Sequence, residues 1–241
     1  MRRTTQLMAI VMLAAALAAL GCQPQTELEP IAEDDMELEV SDDVAETTLA
    51  GFSLTVDGDA WQGDVAIENA VTPLKVEITN ASAVPLSVEY SNFMLVGAAG
   101  EYEAMPVFPY DVVHGEPELK PGFEAPAGQE LEAVGFQVAP YYAPLYPELE
   151  VAPALLLDRD YYGHFLTAWE GTGLPSEDMQ RLALPEGILL PEGTVTGFLY
   201  FEPVAELEDK VNLLVQLENA ETNELEGTFR IPMAPEATLE P

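Results

Sequence analysis

Basic side chains are scarce in this 241-residue chain: eight Lys and Arg stand against 43 Asp and Glu, a formal net charge of −35 at pH 7. Nucleic-acid affinity rests largely on Lys and Arg neutralising phosphates, so a nucleic-acid partner is excluded. Cysteine occurs once, at Cys22, and no disulfide can form within the chain even in an oxidising compartment. With only His114, His164 and that one thiol available, a zinc site is short of ligands. Long hydrophobic runs are missing too. The longest, Leu7 to Leu20, has 14 residues, against about 20 needed to cross roughly 30 Å of hydrocarbon. The sequence contains no Gly-x-Ser-x-Gly elbow, no His-Glu-x-x-His pair, no phosphate-cradling Gly-x-x-x-x-Gly-Lys loop and no EF-hand loop, so no catalytic motif is found. A carboxylate pair flanking a glycosidic bond is defined in space rather than in sequence, which leaves a hydrolase as the last-ranked reading.

What is present begins with an address. Arg2 and Arg3 precede the apolar run, which ends at Gly21-Cys22; a charged start, a short apolar stretch and small residues form a signal peptide. Ala19-Leu20-Gly21-Cys22 resembles the lipobox of bacterial lipoprotein precursors, with alanine where leucine is more usual at the first position. The resemblance implies cleavage after residue 21, acylation of Cys22 and anchoring in the bacterial cell envelope. Two or more acyl chains are needed for stable anchoring, and lipoprotein processing supplies them. Gln23, where an aspartate would favour retention in the inner membrane, resembles the outer-membrane pattern.

Residues 23 to 50 contain ten acids and no Lys or Arg. Like charges repel and the apolar content is small, so residues 22–50 read as a disordered acidic linker. As a coil it would span roughly 30 Å and hold the folded part clear of the bilayer. Residues 236–241 read as a disordered tail. The acid-rich, lysine-poor composition also resembles proteins of saline habitats.

The remainder carries 48% apolar residues overall, enough for a packed core. From Leu74, Leu-Lys-Val-Glu-Ile-Thr-Asn alternates apolar and polar, placing Leu74, Val76 and Ile78 on one face of a strand. Leu86 to Tyr90 repeats the period, and the two runs are expected to pair as neighbours. Phe93–Val96 and Glu101–Ala104 suggest a hairpin. Further strands are expected at Glu130–Val138, with a phase shift near Val134 that marks a bulge, and at Thr194–Phe201, Val211–Leu217 and Gly227–Ile231. Ser176 to Leu184 reads as a helix, with Ser176 as N-cap and Glu177 and Asp178 in its first turn. Seventeen Gly and twenty Pro fall mostly between the apolar runs, the punctuation of an all-β sandwich.

The stretches Thr72–Asn80, Tyr90–Leu95 and Gly193–Phe201 resemble strands of the immunoglobulin-like domains of uncharacterised bacterial lipoproteins. The likeness implies an immunoglobulin-like antiparallel β-sandwich over residues 51–235, held without a disulfide. A long insertion at about 106–184, carrying one short helix, exceeds what a minimal sandwich needs.

Long connections on a rigid scaffold commonly carry binding groups. Tyr141, Tyr142 and Tyr146, together with Tyr161, Tyr162 and Trp169, form two aromatic clusters there. They offer a ligand or partner surface for a glycan or an envelope protein; alternatively they cover the sandwich edge. Trp61 reads as a core anchor. Asp57 and Asp59, or Asp158 and Asp160, are weak candidates for Ca²⁺. The leading expectation is therefore a non-enzymatic binding or structural module, with a Ca²⁺-modulated or glycan-binding domain as the alternative.

Overall fold

A computed structural model describes residues 27–33, 38–63, 65–68, 70–107, 110–113, 116–119, 131–165, 168–169, 174–205 and 207–235. Cys22, the signal peptide, His114 and the tail at 236–241 lie outside them. The strands in chain order are β1 (Leu28–Pro30), β2 (Leu38–Ser41), β3 (Val44–Leu49), β4 (Phe52–Asp57), β5 (Thr72–Asn80), β6 (Leu86–Val88), β7 (Phe93–Gly97) and β8 (Glu101–Glu103). They continue as β9 (Tyr110–Val113), β10 (Glu116–Leu119), β11 (Glu132–Val138), β12 (Glu150–Val151), β13 (Gly187–Phe201), β14 (Val211–Asn219) and β15 (Leu225–Pro235). Helices are short: α1 (Val65–Glu68), α2 (Arg159–Phe165) and α3 (Glu177–Leu182), with a 3₁₀ turn at Tyr90–Asn92. The protein is all-β and mostly antiparallel.

Period-2 burial builds the core. Phe52, Leu54 and Val56 of β4, Leu74, Val76 and Ile78 of β5, and Val211, Leu213, Val215 and Leu217 of β14 are all buried. Each large apolar side chain so placed contributes about 1.5–3 kcal/mol, and this packing replaces the absent disulfide. The hydrogen-bonded path runs β1-β15-β14-β6-β13-β5-β4-β3-β2, with β7 and β8 attached to β14 and β11 and β12 attached to β13. β6 joins the two halves: Leu86 and Ser87 pair with Leu189 and Ile188 of β13 on one side and with Asn219 and Glu218 of β14 on the other. The expected pairing of β6 with β5 is thus corrected, since β5 lies between β4 and β13. Alternation reports which face a residue occupies, not which strand lies beside it.

The hairpin of β7 and β8 forms as expected, and the register of β11 on β13 slips between Val134 and Phe136, the expected bulge. Ser176 caps α3, its hydroxyl accepting the Met179 N–H at 3.2 Å.

Two expectations fail. The acidic stretch 22–50 is no linker where it is described: β1 pairs with β15, and β2 and β3 extend the sheet from β4. Leu28 and Ala45 are buried, while Glu39 and Glu46 point outward. The charge average concealed a strand period in which acids occupy the solvent side. Glu33 then ion-pairs with Lys210 and lies 3.7 Å from Arg230, fastening the segment after β1. Nor is 106–184 an appended insertion with one helix. It holds α2 and α3, and β11 runs inside the principal sheet.

Candidate functional site

Two polar constellations among the described residues bear on function, one sealed and one open. The sealed one centres on Glu186, which precedes β13 and is 4% exposed. Its Oε1 accepts the Tyr90 N–H at 2.8 Å, and its Oε2 accepts the hydroxyls of Tyr141 and Tyr162, each at 2.6 Å. Because Tyr162 donates to the carboxylate, Tyr142 is the donor in the 2.7 Å contact between the two phenols. Burial raises the Glu186 pKa to about 7, against the opposing pull of the Tyr141, Tyr162 and Tyr90 donors, and Glu89 adds to the rise. The three hydrogen bonds favour the charged form, and the desolvation outweighs them.

Around it the aromatic clusters close ranks. Tyr142, Tyr146 and Tyr162 are buried, so their expected role as a ligand or partner surface is corrected. Tyr141, Tyr161 and Trp169 are half-buried. Tyr161 donates to the Ala104 carbonyl and Trp169 Nε1 to the Pro106 carbonyl at 2.8 Å, which fixes α2 and the turn after it on the chain leaving β8. Desolvation pushes the phenols of Tyr146 and Tyr161 far up, so they remain protonated donors. Trp61 is the core anchor expected, meeting Phe198 and Tyr200 edge-on at 5.4 and 5.8 Å.

The calcium candidates do not assemble. Asp57 accepts the Asp59 N–H, and Asp158 accepts the N–H groups of Asp160 and Tyr161 at the start of α2. These are turn and capping contacts. Among the described residues, no three His, Cys, Asp or Glu side chains are placed to share a metal ion.

The open constellation lies on the outer face of the sheet and went unrecognised in sequence. The strand register places Glu132, Thr196, Glu77, Thr55, Glu46 and Glu39 in one cross-strand row over β11, β13, β5, β4, β3 and β2. A second row runs Val134, Thr194, Thr79, Ser53 and Thr48. Neighbouring members of a row are one strand spacing apart, about 4.8 Å. Thr196 donates to Glu77 Oε2 at 3.2 Å, and the hydroxyls of Thr79 and Thr194 meet at 3.0 Å. A groove of about 130 Å³ runs here, lined by Thr55, Asp57, Lys75, Glu77, Glu132 and Thr196 with Val44. Desolvation raises the Asp57 pKa, opposed by the Asp59 N–H and by Lys75.

The face therefore offers hydroxyls, carboxylates and one ammonium in a fixed array, while the buried tyrosines offer nothing to solvent. The signal for it in the sequence is the alternation of Thr and Glu with apolar residues, which becomes a row only once the register is known.

No protein-family model matches the chain, and no curated protein or solved structure proved similar to it.

Proposed function

We propose that the chain is a lipoprotein of the bacterial cell envelope, anchored at Cys22 in the outer membrane, whose immunoglobulin-like β-sandwich acts as a non-enzymatic binding module. The observation that carries this reading is the open Glu/Thr row with its groove, where hydroxyls and carboxylates of six neighbouring strands stand side by side on the outer face of the sheet. The lipobox-like Ala19-Leu20-Gly21-Cys22 and Gln23 support the anchor. Gly227 of β15 lies against Leu49 at the end of β3, a contact between the two sheet halves that fits the sandwich.

The early start of β1 changes what anchoring means. Leu28 follows Cys22 by six residues, which at full extension reach about 20 Å. A lipidated Cys22 thus keeps the domain at the membrane surface, and its ligand is one found there. A second reading, glycan binding, is favoured by the groove itself, since alternating hydroxyls and carboxylates are suited to hydrogen-bonding sugar hydroxyls.

The test places a photo-crosslinking amino acid at Thr55, inside the groove, and separately at Glu221, on an exposed turn that does not line it, in cells producing the full chain. A defined adduct at position 55, absent at 221 and lost in Cys22→Ala, is the expected result. Fractionation should find the native chain in the membrane and Cys22→Ala in the soluble fraction. No adduct at 55, or equal adducts at both positions, would sink the binding role of this face. Digestion of the adduct with glycosidases separates the glycan reading from a protein partner.

A further inference from the structure

A free strand edge is a row of unpaired N–H and C=O groups, ready to pair with another chain. The principal sheet blunts most of its edges. β1 holds Pro30, β15 holds Arg230 and Pro232, β11 is bulged between Val134 and Phe136, and β12 has two residues. β8 is bonded on its far side, where the Glu202 N–H reaches the Glu103 carbonyl at 3.1 Å. β2, last in the strand order beyond β3, has no proline, no basic residue and no bulge.

The hairpin sets which groups that edge presents. Asp42 and Asp43 have φ of 49° and 63°, the two left-handed residues of a type I′ turn. In such a hairpin the flanking pair, Ser41 and Val44, is hydrogen-bonded, and bonded and unbonded pairs then alternate. Glu39 therefore bonds to Glu46, whereas Leu38 and Val40, opposite Thr47 and Ala45, turn their N–H and C=O groups away from β3. Among the described residues, no backbone group bonds to these four groups from the other side. We propose that the free edge of β2 is a docking site for an extended segment of another protein in which Lys or Arg alternates with apolar residues, added to the sheet as a further strand.

The side chains specify the occupant. Leu38 and Val40 are half-buried and pack against the core, while Glu39 and Ser41 are exposed on the outer face. Apolar residues beside Leu38 and Val40 extend the core by one strand, and the residues between them then lie on the outer face, beside Glu39 and Ser41. Glu39 already faces Glu46, a like-charge pair that costs stability. A Lys or Arg on the other side of Glu39, one strand spacing of about 4.8 Å from it, answers that charge. So does one beside Ser41, next to the Asp42-Asp43 turn. Residues 34–43 contain six acids and no Lys or Arg, so the complementarity extends past the strand. Nowhere in the chain do two Lys or Arg stand two residues apart, and hence neither a segment of this chain nor a second copy supplies the occupant. Strand addition takes affinity from main-chain hydrogen bonds and specificity from alternate side chains. It uses the edge of the sheet and not the groove, so it holds or fails apart from the reading of the Glu/Thr face.

The test uses the full chain, isotope-labelled for amide exchange by NMR, and a capped octapeptide of alternating Lys and Val. Its block isomer, all Lys followed by all Val, is the control of equal charge. In the free chain the Leu38 and Val40 amides are expected to exchange close to the unprotected rate, and saturating alternating peptide to slow both by about tenfold or more. The block isomer should leave them unchanged. Glu39→Lys places an opposite charge before Glu46, which keeps the hairpin, and it should weaken binding of the alternating peptide by about tenfold. No slowing by the alternating peptide overturns the proposal. Equal slowing by the block isomer, or undiminished affinity in Glu39→Lys, reduces the contact to unspecific attraction for a chain of net charge −35 and overturns it too. So do Leu38 and Val40 amides protected without peptide: protection that falls on dilution assigns the edge to a second copy, and protection that stays assigns it to the chain itself.

Discussion

Tyr162 donates its hydroxyl to Glu186 Oε2 at 2.6 Å in a site closed to solvent, while accepting from Tyr142 at 2.7 Å. Three groups separated by 20 and 24 residues in sequence thereby share one relay. Hydrogen bonds to charged acceptors contribute about 1.5–3 kcal/mol each. Tyr162→Phe is expected to lower stability by about 2 kcal/mol at pH 8, where Glu186 is ionised, and by less at pH 5. Urea melts at the two pH values, read through midpoints at constant slope, check this. An equal loss at both would show that the phenol contributes packing and neutral bonding alone.

Glu208 behaves in the opposite sense. Its carboxylate accepts the Ala98 and Ala99 N–H groups at 2.8 and 2.7 Å and the Tyr102 hydroxyl at 3.2 Å, closing the loop between β7 and β8. Desolvation works against the charge, yet the donors outweigh it and hold the pKa below the usual 4.5. A lowered native value contributes stability above the unfolded pKa and forfeits it as pH falls through the folded one. Glu208→Gln should therefore melt below the native protein at pH 7, with the gap narrowing under pH 4.5. Thermal melts from pH 3 to pH 7 check the convergence.

The parts of the fold legible in sequence were those written in local period. β5 declared its buried face through Leu74, Val76 and Ile78, α3 its start through Ser176, and β11 its bulge through the phase shift at Val134. Relationships between distant segments were not. β6 has the alternation of a strand but nothing in it names β13 and β14 as neighbours. β2 and β3 were masked because their acids raise the average charge while occupying one face only. Glu186 is one acid among 43, and its partners lie 24, 45 and 96 residues away. No motif marks a carboxylate whose chemistry is made by tertiary burial. The aromatic clusters were legible as clusters, but whether they faced out or in depended on that same burial.

The bulge in β11 makes a backbone prediction. Gly135 adopts φ +62, and a Cβ there would sit 3.0 Å from the Gly193 Cα. A left-handed conformation costs a residue with a side chain roughly 1–2 kcal/mol, and the contact with backbone adds to that. Gly135→Ala should destabilise by at least this amount. Gly135→Asn, which tolerates the dihedral better but carries the same Cβ, should recover part of the loss and not all. Denaturant midpoints for the two variants separate strain from crowding.

The start of β1 carries the most for the proposed function, because with an anchor at Cys22 it would decide whether the domain stands off the membrane or rests on it. Leu28 is 1% exposed and pairs with Pro235, while Pro30 pairs with Met233. A residue in a disordered linker can be truncated at no cost to stability. A buried Leu cannot: removing its side chain leaves a cavity, and such changes cost about 2–5 kcal/mol. Leu28→Ala is expected to fall at the lower end of that range, since β1 is a three-residue edge strand that can shift to fill the gap. Glu39→Ala, in the same acidic stretch but with an exposed side chain, should change stability by less than about 0.5 kcal/mol. A neutral Leu28→Ala would return residues 23–33 to the role of a spacer and lengthen the reach from Cys22. A destabilised one keeps residue 28 part of the fold and the proposed tether from Cys22 short, which under the proposed anchoring directs the photo-crosslink at Thr55 towards ligands near the membrane.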